Sequence, residues 1–242
     1  MDAFSLYRAG QLGEAIDALG GELKKQPLDT RRRTFLFELL CFAGEYQRAG
    51  KQLDILSDAS KEAAAGALLY RSALHAEQTR QEMFARDELP LSAAHPSSPG
   101  QINGREFSEI GDSDPRIGAN LEAFIAGSYN WIPFAFIESI EIQPPKKLRD
   151  LIWLPAIVRT TAEFRLQDLG EILLPVLAPL SWRHAADQVR LGRLTVWTDD
   201  SKYGAIPSGQ KTLLTGDEEN PLLELRELSF HHAGETAASA IT

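Results

Sequence analysis

A single cysteine, Cys41, leaves no partner for an intramolecular disulfide, as expected of a chain in a reducing compartment. No apolar run approaches the roughly 18 residues that mark a membrane-spanning helix. The opening Met1-Asp2-Ala3-Phe4 lacks the basic and apolar regions of a secretory leader. A cytoplasmic location is expected, with no membrane contact. Positive charge is also in short supply: 25 Lys and Arg against 34 Asp and Glu leave a net charge of -9. Such a field repels phosphate backbones and anionic headgroups, so nucleic acid is not an expected partner. The G-x-S-x-G, H-E-x-x-H, Walker A and G-x-G-x-x-G arrangements are missing too, which points away from the common hydrolase, zinc-peptidase and nucleotide chemistries. No cofactor is expected.

What remains is ordinary globular material, 43% hydrophobic and 24% charged, in a length that suits two domains. Residues 1–90 carry 12 basic and 14 acidic side chains, and the rest carries 13 and 20, so most of the acidity lies in the second part.

The first ninety residues repeat. Leu6-Tyr7-Arg8-Ala9-Gly10 overlays Leu40-Cys41-Phe42-Ala43-Gly44, and the register continues through Ala15 on Ala49 and Leu19 on Leu53, an offset of 34 residues. That is the period of tetratricopeptide hairpins. Gly10 and Gly44 end the first helix of each pair, where a left-handed residue costs glycine little, and Ala15 and Ala49 allow close helix packing. Pro27 closes the first unit, and Asp29 or Thr30 caps the next helix. Arg31, Arg32 and Arg33 oppose the dipole at that helix start and read as a solvated face. A third copy survives only in Leu74, because Glu77 and Gln78 replace the Ala-Gly pair. Residues 60–87 read instead as one capping helix with Ser60 as N-cap and a stripe through Leu68, Leu69, Ser72 and His75.

Between Asp87 and Gly100 the composition turns to Pro90, Pro96, Ser97, Ser98 and Pro99, a connector. Beyond it the pattern predicts a helix from Arg116 to Ala126. Strands are predicted at Ile137 to Ile142, Ile152 to Thr160, Glu171 to Leu177, Leu194 to Thr198, Lys211 to Leu214 and Leu223 to Phe230. Turn signals at Pro144-Pro145, Asp199-Asp200 and Thr215-Gly216-Asp217 separate them. The expected fold class is α+β: a TPR-like helical domain (1–88), a linker (89–103), a mixed α/β domain (104–232) whose mostly antiparallel sheet could close into a barrel, and a disordered tail (233–242).

Candidate chemistry is thin. His231-His232 would point to opposite faces of a strand with no further His or Cys nearby, a poor metal site. Asp112 with Asp114, and Asp199 with Asp200, fall in turns, where Asp serves its own backbone. His75 and His184 have no nucleophile beside them in the sequence. Cys41 sits among apolar repeat positions and reads as core rather than as a reactive thiol. The run from Lys147 to Ala156 sets Arg149-Asp150 against a strongly apolar stretch. It reads either as a polar anchor at a strand entry or as a peptide-facing edge.

The chain as a whole resembles the ImpE (TagJ-like) accessory proteins of bacterial type VI secretion. The matching stretches are Leu6 to Pro27, Asp114-Pro115-Arg116-Ile117-Gly118 with Leu121-Glu122, and Tyr129-Asn130-Trp131-Ile132-Pro133-Phe134. They continue through Leu148 to Ala156, Thr195-Val196-Trp197, Gly209-Gln210-Lys211 and Leu223 to Leu228. Coverage runs from about residue 3 to 230, and the Leu-Arg-Asp-Leu-x-Trp-Leu-Pro-Ala stretch is the specific part. The resemblance marks Trp131, Pro133, Arg149, Asp150, Trp153, Pro155, Trp197 and Gln210 as candidate structural or binding residues. It implies a non-catalytic adaptor that binds the N-terminal helix of the small contractile-sheath subunit and associates with the ClpV-type AAA+ disassembly ATPase. Many relatives carry an Arg-Tyr pair shortly after the proline that aligns with Pro175. This chain continues Val176-Leu177-Ala178-Pro179, so that pair's role does not carry over. The alternatives are a helical-repeat scaffold for another protein of the apparatus and, behind it, an enzyme whose acid pair is assembled only in space.

Overall fold

The computed structural model describes residues 1–58, 61–90, 98–164 and 169–231. Five helices come first: α1 (Ala3–Arg8), α2 (Leu12–Lys25), α3 (Thr30–Phe42), α4 (Tyr46–Ser57) and α5 (Lys61–Arg86). Local chemistry explains their ends. Asp2 caps α1 by accepting from Ser5 N at 2.9 Å, and Asp29 caps α3 by accepting from Arg32 N at 2.9 Å. Gly10 and Gly44 both adopt left-handed φ, 79° and 73°. Equivalent bonds close the two tips: Gln11 N donates to Leu6 O at 3.0 Å and Glu45 N to Leu40 O at 2.9 Å. The tips of the two hairpins thus share one closing geometry 34 residues apart, although α1 is much shorter than α3.

Arg32 reaches Glu22 at 2.8 Å, and Arg33 reaches Gln52 at 2.8 Å, so two residues of the expected solvated arginine face tie neighbouring helices together. The long helix α5 forms as expected, but its packed face differs. Leu68 and Leu69 are exposed, whereas Ala73, Leu74, Ala76, Glu77, Arg80, Gln81 and Phe84 are buried. The stripe chosen from apolar residues misses this face because its lower half is polar and satisfied by ion pairs. Ser60, the expected cap, lies outside the described residues.

Thirteen strands follow among the described residues. β1 (Gly100–Ile102) and β2 (Arg105–Phe107) open inside and just beyond the stretch read as linker. β3 (Gly111–Asp112), β4 (Asn120–Ile125), β5 (Ser128–Pro133), β6 (Ile137–Ile142), β7 (Trp153–Thr160) and β8 (Glu171–Pro175) come next. A one-turn helix α6 (Asp187–Arg190) precedes β9 (Val196–Asp200), β10 (Gly204–Ser208), β11 (Thr212–Thr215), β12 (Glu218–Pro221) and β13 (Glu227–Phe230).

Eight strands form one antiparallel sheet in the order β2-β1-β13-β6-β7-β8-β4-β5; β12-β11-β3 and β10-β9 form two smaller ones. The large sheet is open, with β2 and β5 at its edges, so it does not close into the barrel that the pattern allowed. The expected helix from Arg116 to Ala126 is a second correction. Asp114 to Gly118 form a turn closed by Ile117 N donating to Asp114 O at 2.9 Å. β4 then pairs with β5 through Ala126 (φ 49°) and Gly127 (φ 82°), a tight hairpin turn with two positive φ values. Leu121, Phe124 and Ile125 carry helical spacing only because both faces of β4 are covered, which erases the period-two signal.

The sheet separates two cores. Ile102, Leu121, Ala123, Leu154, Ala156, Ile172, Leu174 and Leu228 pack on one face, together with Leu213 of the small sheet. Phe124, Trp153 and Leu173 turn the other way and join Leu12, Leu19, Phe37, Leu39, Phe42 and Leu74 of the helices. Helical layer and sheet thus share one apolar interior. The terminal residues expected to be disordered, and His232, lie outside the described residues.

Candidate functional site

Where α5 crosses the sheet, the shared interior contains charge. Alternation along β4 places Glu122 beside Phe124 on the helical side of the sheet. One turn of α5 brings Glu77 and Arg80 against it. Arg80 is fully buried and meets Glu122 with both arms of its fork, Nε to Oε1 at 2.7 Å and Nη2 to Oε2 at 2.9 Å. It also donates to Glu77 Oε1 at 3.1 Å and to the Leu177 carbonyl at 2.9 Å. Lys211, the residue before β11, bridges Glu122 to Asp112 of β3. Trp153 Nε1 donates to Glu77 Oε2 at 2.9 Å. Tyr129 donates to Glu122, and Trp131 Nε1 donates in turn to the Tyr129 hydroxyl.

Three buried carboxylates therefore share two buried cations, and burial is tolerable only because nearly every lone pair is met. Burial opposes ionisation of Glu122, but Arg80 and Lys211 outweigh it and hold the carboxyl at about 2. For Asp112, burial and the repulsion of Glu122 outweigh Lys211 and the Asp114 amide, and its carboxyl rises to about 6. Burial likewise opposes the Arg80 charge, yet Glu122 and Glu77 hold it protonated well above its usual range.

A second set of contacts surrounds this clasp. Gln81 donates to Glu77 at 2.6 Å and accepts from Leu180 N at 2.8 Å and from Trp182 Nε1 at 3.2 Å. The segment around α6 then seals the hairpin tips. Asp187 Oδ2 accepts from Leu12 N at 2.7 Å, capping α2, whose own Gln11 makes no capping bond. Arg193 donates to the terminal carbonyls of α1, Tyr7 O at 2.8 Å and Arg8 O at 3.0 Å.

The residues marked by sequence divide into groups. Trp131 and Trp153 meet in the clasp, joined through Tyr129, Glu122, Arg80 and Glu77. Pro133 ends β5, paired with Asn120. Arg149 and Asp150 do not pair with each other. Arg149 lies over the Tyr70 ring at 4.5 Å with its guanidinium 4.0 Å from Glu38, while Asp150 Oδ2 accepts from Lys146 N at 2.8 Å and Lys147 N at 2.9 Å. Pro155 pairs with Leu173 and faces a hollow of about 290 Å³ that Tyr70 and Asp150 also line. Trp197 stands apart, exposed on the β9–β10 hairpin, and Gln210 forms an isolated bridge to Leu177.

Of the clasp residues, Glu77, Arg80, Glu122 and Lys211 were not among the candidates, and Asp112 was read with Asp114 as a turn residue. Glu122 and Lys211 lay inside matching stretches, but their partners were too distant in sequence to reveal a role. Asp112 and Asp114 do serve a turn: Asp112 Oδ1 accepts from Asp114 N at 2.9 Å, and Asp114 Oδ1 from Arg116 N at 3.0 Å. Both are also buried and ion-paired. Asp200 Oδ1 accepts from Lys202 N at 2.8 Å in its turn, and His184 Nδ1 accepts from Ala186 N at 3.0 Å. Cys41 is buried among apolar residues, and burial raises its thiol well above the usual range. Among the described residues no helix is long and apolar enough to cross a membrane.

Geometry and topology define a class: a helix-plus-sheet protein whose paired helices are locked to an open antiparallel sheet by a buried ionic clasp. Within that class the chain belongs to the ImpE protein family, whose model matches residues 104–229. It is 31% identical, over 95% of its own length and 91% of the relative's, to the type VI secretion system accessory component TagJ of Pseudomonas aeruginosa. The crystal structure of a Vibrio parahaemolyticus protein superposes with a TM-score of 0.82 at 25% identity, covering 95% of this chain and 97% of that one. The likeness thus includes the helical layer as well as the sheet.

Proposed function

We propose that this chain is a non-enzymatic, cytoplasmic accessory protein of type VI secretion. In this reading it binds the N-terminal helix of the small contractile-sheath subunit and associates with the ClpV-type AAA+ sheath-disassembly ATPase. The observation that carries the proposal is the near full-length likeness to an accessory component of that system. The helical layer supports it: two helical hairpins, read as TPR-like, followed by a long helix, are suited to holding another protein's helix. The buried charges are spent on architecture: Arg80 ties α5 to Glu122 of β4, and Lys211 ties Glu122 to Asp112 of the small sheet, which agrees with a scaffold's use of charge. On this reading residues 1–88 and 104–232 form two units of one device rather than independent modules.

Calorimetric titration of the full chain with a peptide of the sheath subunit's first helix tests the proposal. Saturable binding is expected in the micromolar range, and no heat at tens of micromolar (about -6 to -7 kcal/mol of binding) overturns it. Capture from native cells on the tagged full chain should retain the ATPase with the sheath subunit; recovery of a different component of the apparatus instead favours a scaffold for that protein.

A further inference from the structure

An open cleft of about 480 Å³ lies between α1, α3 and the segment after β6. Its floor is aromatic. Tyr7 of α1 meets Phe35 of α3 edge-on with ring centroids 5.7 Å apart, and Phe4 lies 6.1 Å from Phe35. Phe4 is 58% exposed, an unusual state for a phenylalanine inside a three-ring cluster. Half-buried Leu148 and Leu151 face the rings.

The rim carries the opposite sign to the rest of the molecule. In a chain of net charge -9, exposed Lys146 and Lys147 line this cleft, and neither enters an ion pair among the described residues. Their backbone is fixed, because both amides donate to Asp150. The one acid in the lining among the described residues, Glu38, is buried with its carboxylate toward Arg149.

We propose that this cleft is the docking site for an amphipathic helix of a partner protein whose apolar face is flanked by Asp and Glu. An aromatic and leucine centre inside a charged rim is the anatomy of a protein interface. The walls are two helices and a helical turn with no open strand edge, so recognition runs through side chains, as when a helix lays i, i+3, i+4 and i+7 anchors into a groove. Unpaired lysines supply orientation and rate. The inference shares with the adaptor reading the idea of a helical client, but it names the surface and the client's charge.

The test uses the full chain and a labelled amphipathic peptide with Leu and Phe at those anchor positions and Glu beside them, compared with its Lys-for-Glu counterpart, by fluorescence anisotropy at low salt. The acidic peptide is expected to bind at least about tenfold tighter. Lys146→Glu with Lys147→Glu should reverse that preference, and Phe4→Ser should weaken both peptides with unchanged circular dichroism. Equal binding of the two peptides, or a preference that survives the double substitution, overturns the inference. The sheath-helix peptide separates the two proposals. If it binds wild type and double variant alike, the adaptor reading stands and this cleft is not its site. If only the acidic peptide binds, and the substitutions abolish that binding, the cleft stands and the sheath client falls.

Discussion

The indole of Trp182 lies flat against Gly44, so that a Cβ at this glycine would sit 2.6 Å from Trp182 Cγ. Thirty-four positions earlier, Gly10 is covered in the same way by Gln188, whose Cδ would be 2.7 Å from an added Cβ. The residues that end the first helix of each hairpin are thus also the places where the sheet-bearing half of the chain touches down. Gly44→Ala should combine a left-handed alanine with a rigid-ring clash and cost at least about 2 kcal/mol in urea unfolding. Gly10→Ala should cost less, because Gln188 can swing aside. A Gly10 variant as unstable as the Gly44 variant would contradict the contact geometry.

Arg80 and Lys211 are both buried cations, yet they are not equivalent. Removing Arg80 takes away the cation on Glu77 and leaves Glu122 only the ammonium it shares with Asp112, and Arg80→Met should lose roughly 3–5 kcal/mol. Lys211→Met leaves Glu122 its guanidinium, and Asp112, already raised to about 6, can take up a proton. The Lys211 variant should therefore be the milder of the two by denaturation midpoint, and its deficit should shrink as the pH is lowered toward 5. An equal deficit at all pH values would argue against a shared cation.

Glu38 supplies a pH dependence of known sign. Burial, opposed by Arg149, raises its carboxyl from 4.5 to about 7. The folded state binds that proton more tightly than the unfolded chain, so the stabilisation is full below about 4.5 and is lost as pH rises through 7. Glu38→Gln should flatten the fall in melting temperature between pH 5 and pH 8, removing no more than about 3 kcal/mol of variation. If wild type and variant lose stability in parallel over that range, Glu38 is ionised in the fold.

Asp87, at the end of α5, accepts from Lys202 Nζ at 2.6 Å and from the Tyr203 hydroxyl, pinning the β9–β10 turn to the helix. These groups are exposed, so Asp87→Ala should leave the global unfolding midpoint almost unchanged. Amide exchange in Val196–Asp200 and Gly204–Ser208 should nevertheless quicken, because this two-stranded sheet has few other anchors. Unaltered exchange there would show that the hairpin is held elsewhere.

Local chemistry was legible in the sequence, and long-range charge was not. Gly10, Gly44 and Asp29 announced the helical hairpins because capping and left-handed turns depend on neighbours a few positions away. Ile137–Ile142 was readable because β6 keeps an exposed residue in its alternation. β4 was not: with Leu121 to Phe124 all buried, its pattern imitates a helix. The buried face of α5 escaped for the converse reason, since Glu77, Arg80 and Gln81 look like solvent-facing residues until Glu122, Trp153 and Leu180 are brought to them. Of the marked positions, Trp131 and Trp153 meet at the clasp, Asp150 and Pro155 line one outer hollow, Arg149 lies over Tyr70, and Trp197 faces solvent.

The clasp also imposes an order of events on a ribosome. Glu77 and Arg80 are synthesised first, Asp112 and Glu122 later, and Lys211 last of the five. The helical hairpins are built from near-neighbour contacts and can form early, but the charged side of α5 stays hydrated until the last partner arrives. Completion of the clasp is thereby tied to the slow, distant pairings of the sheet, and a chain stalled before Lys211 would leave three carboxylates with the single cation of Arg80 to share.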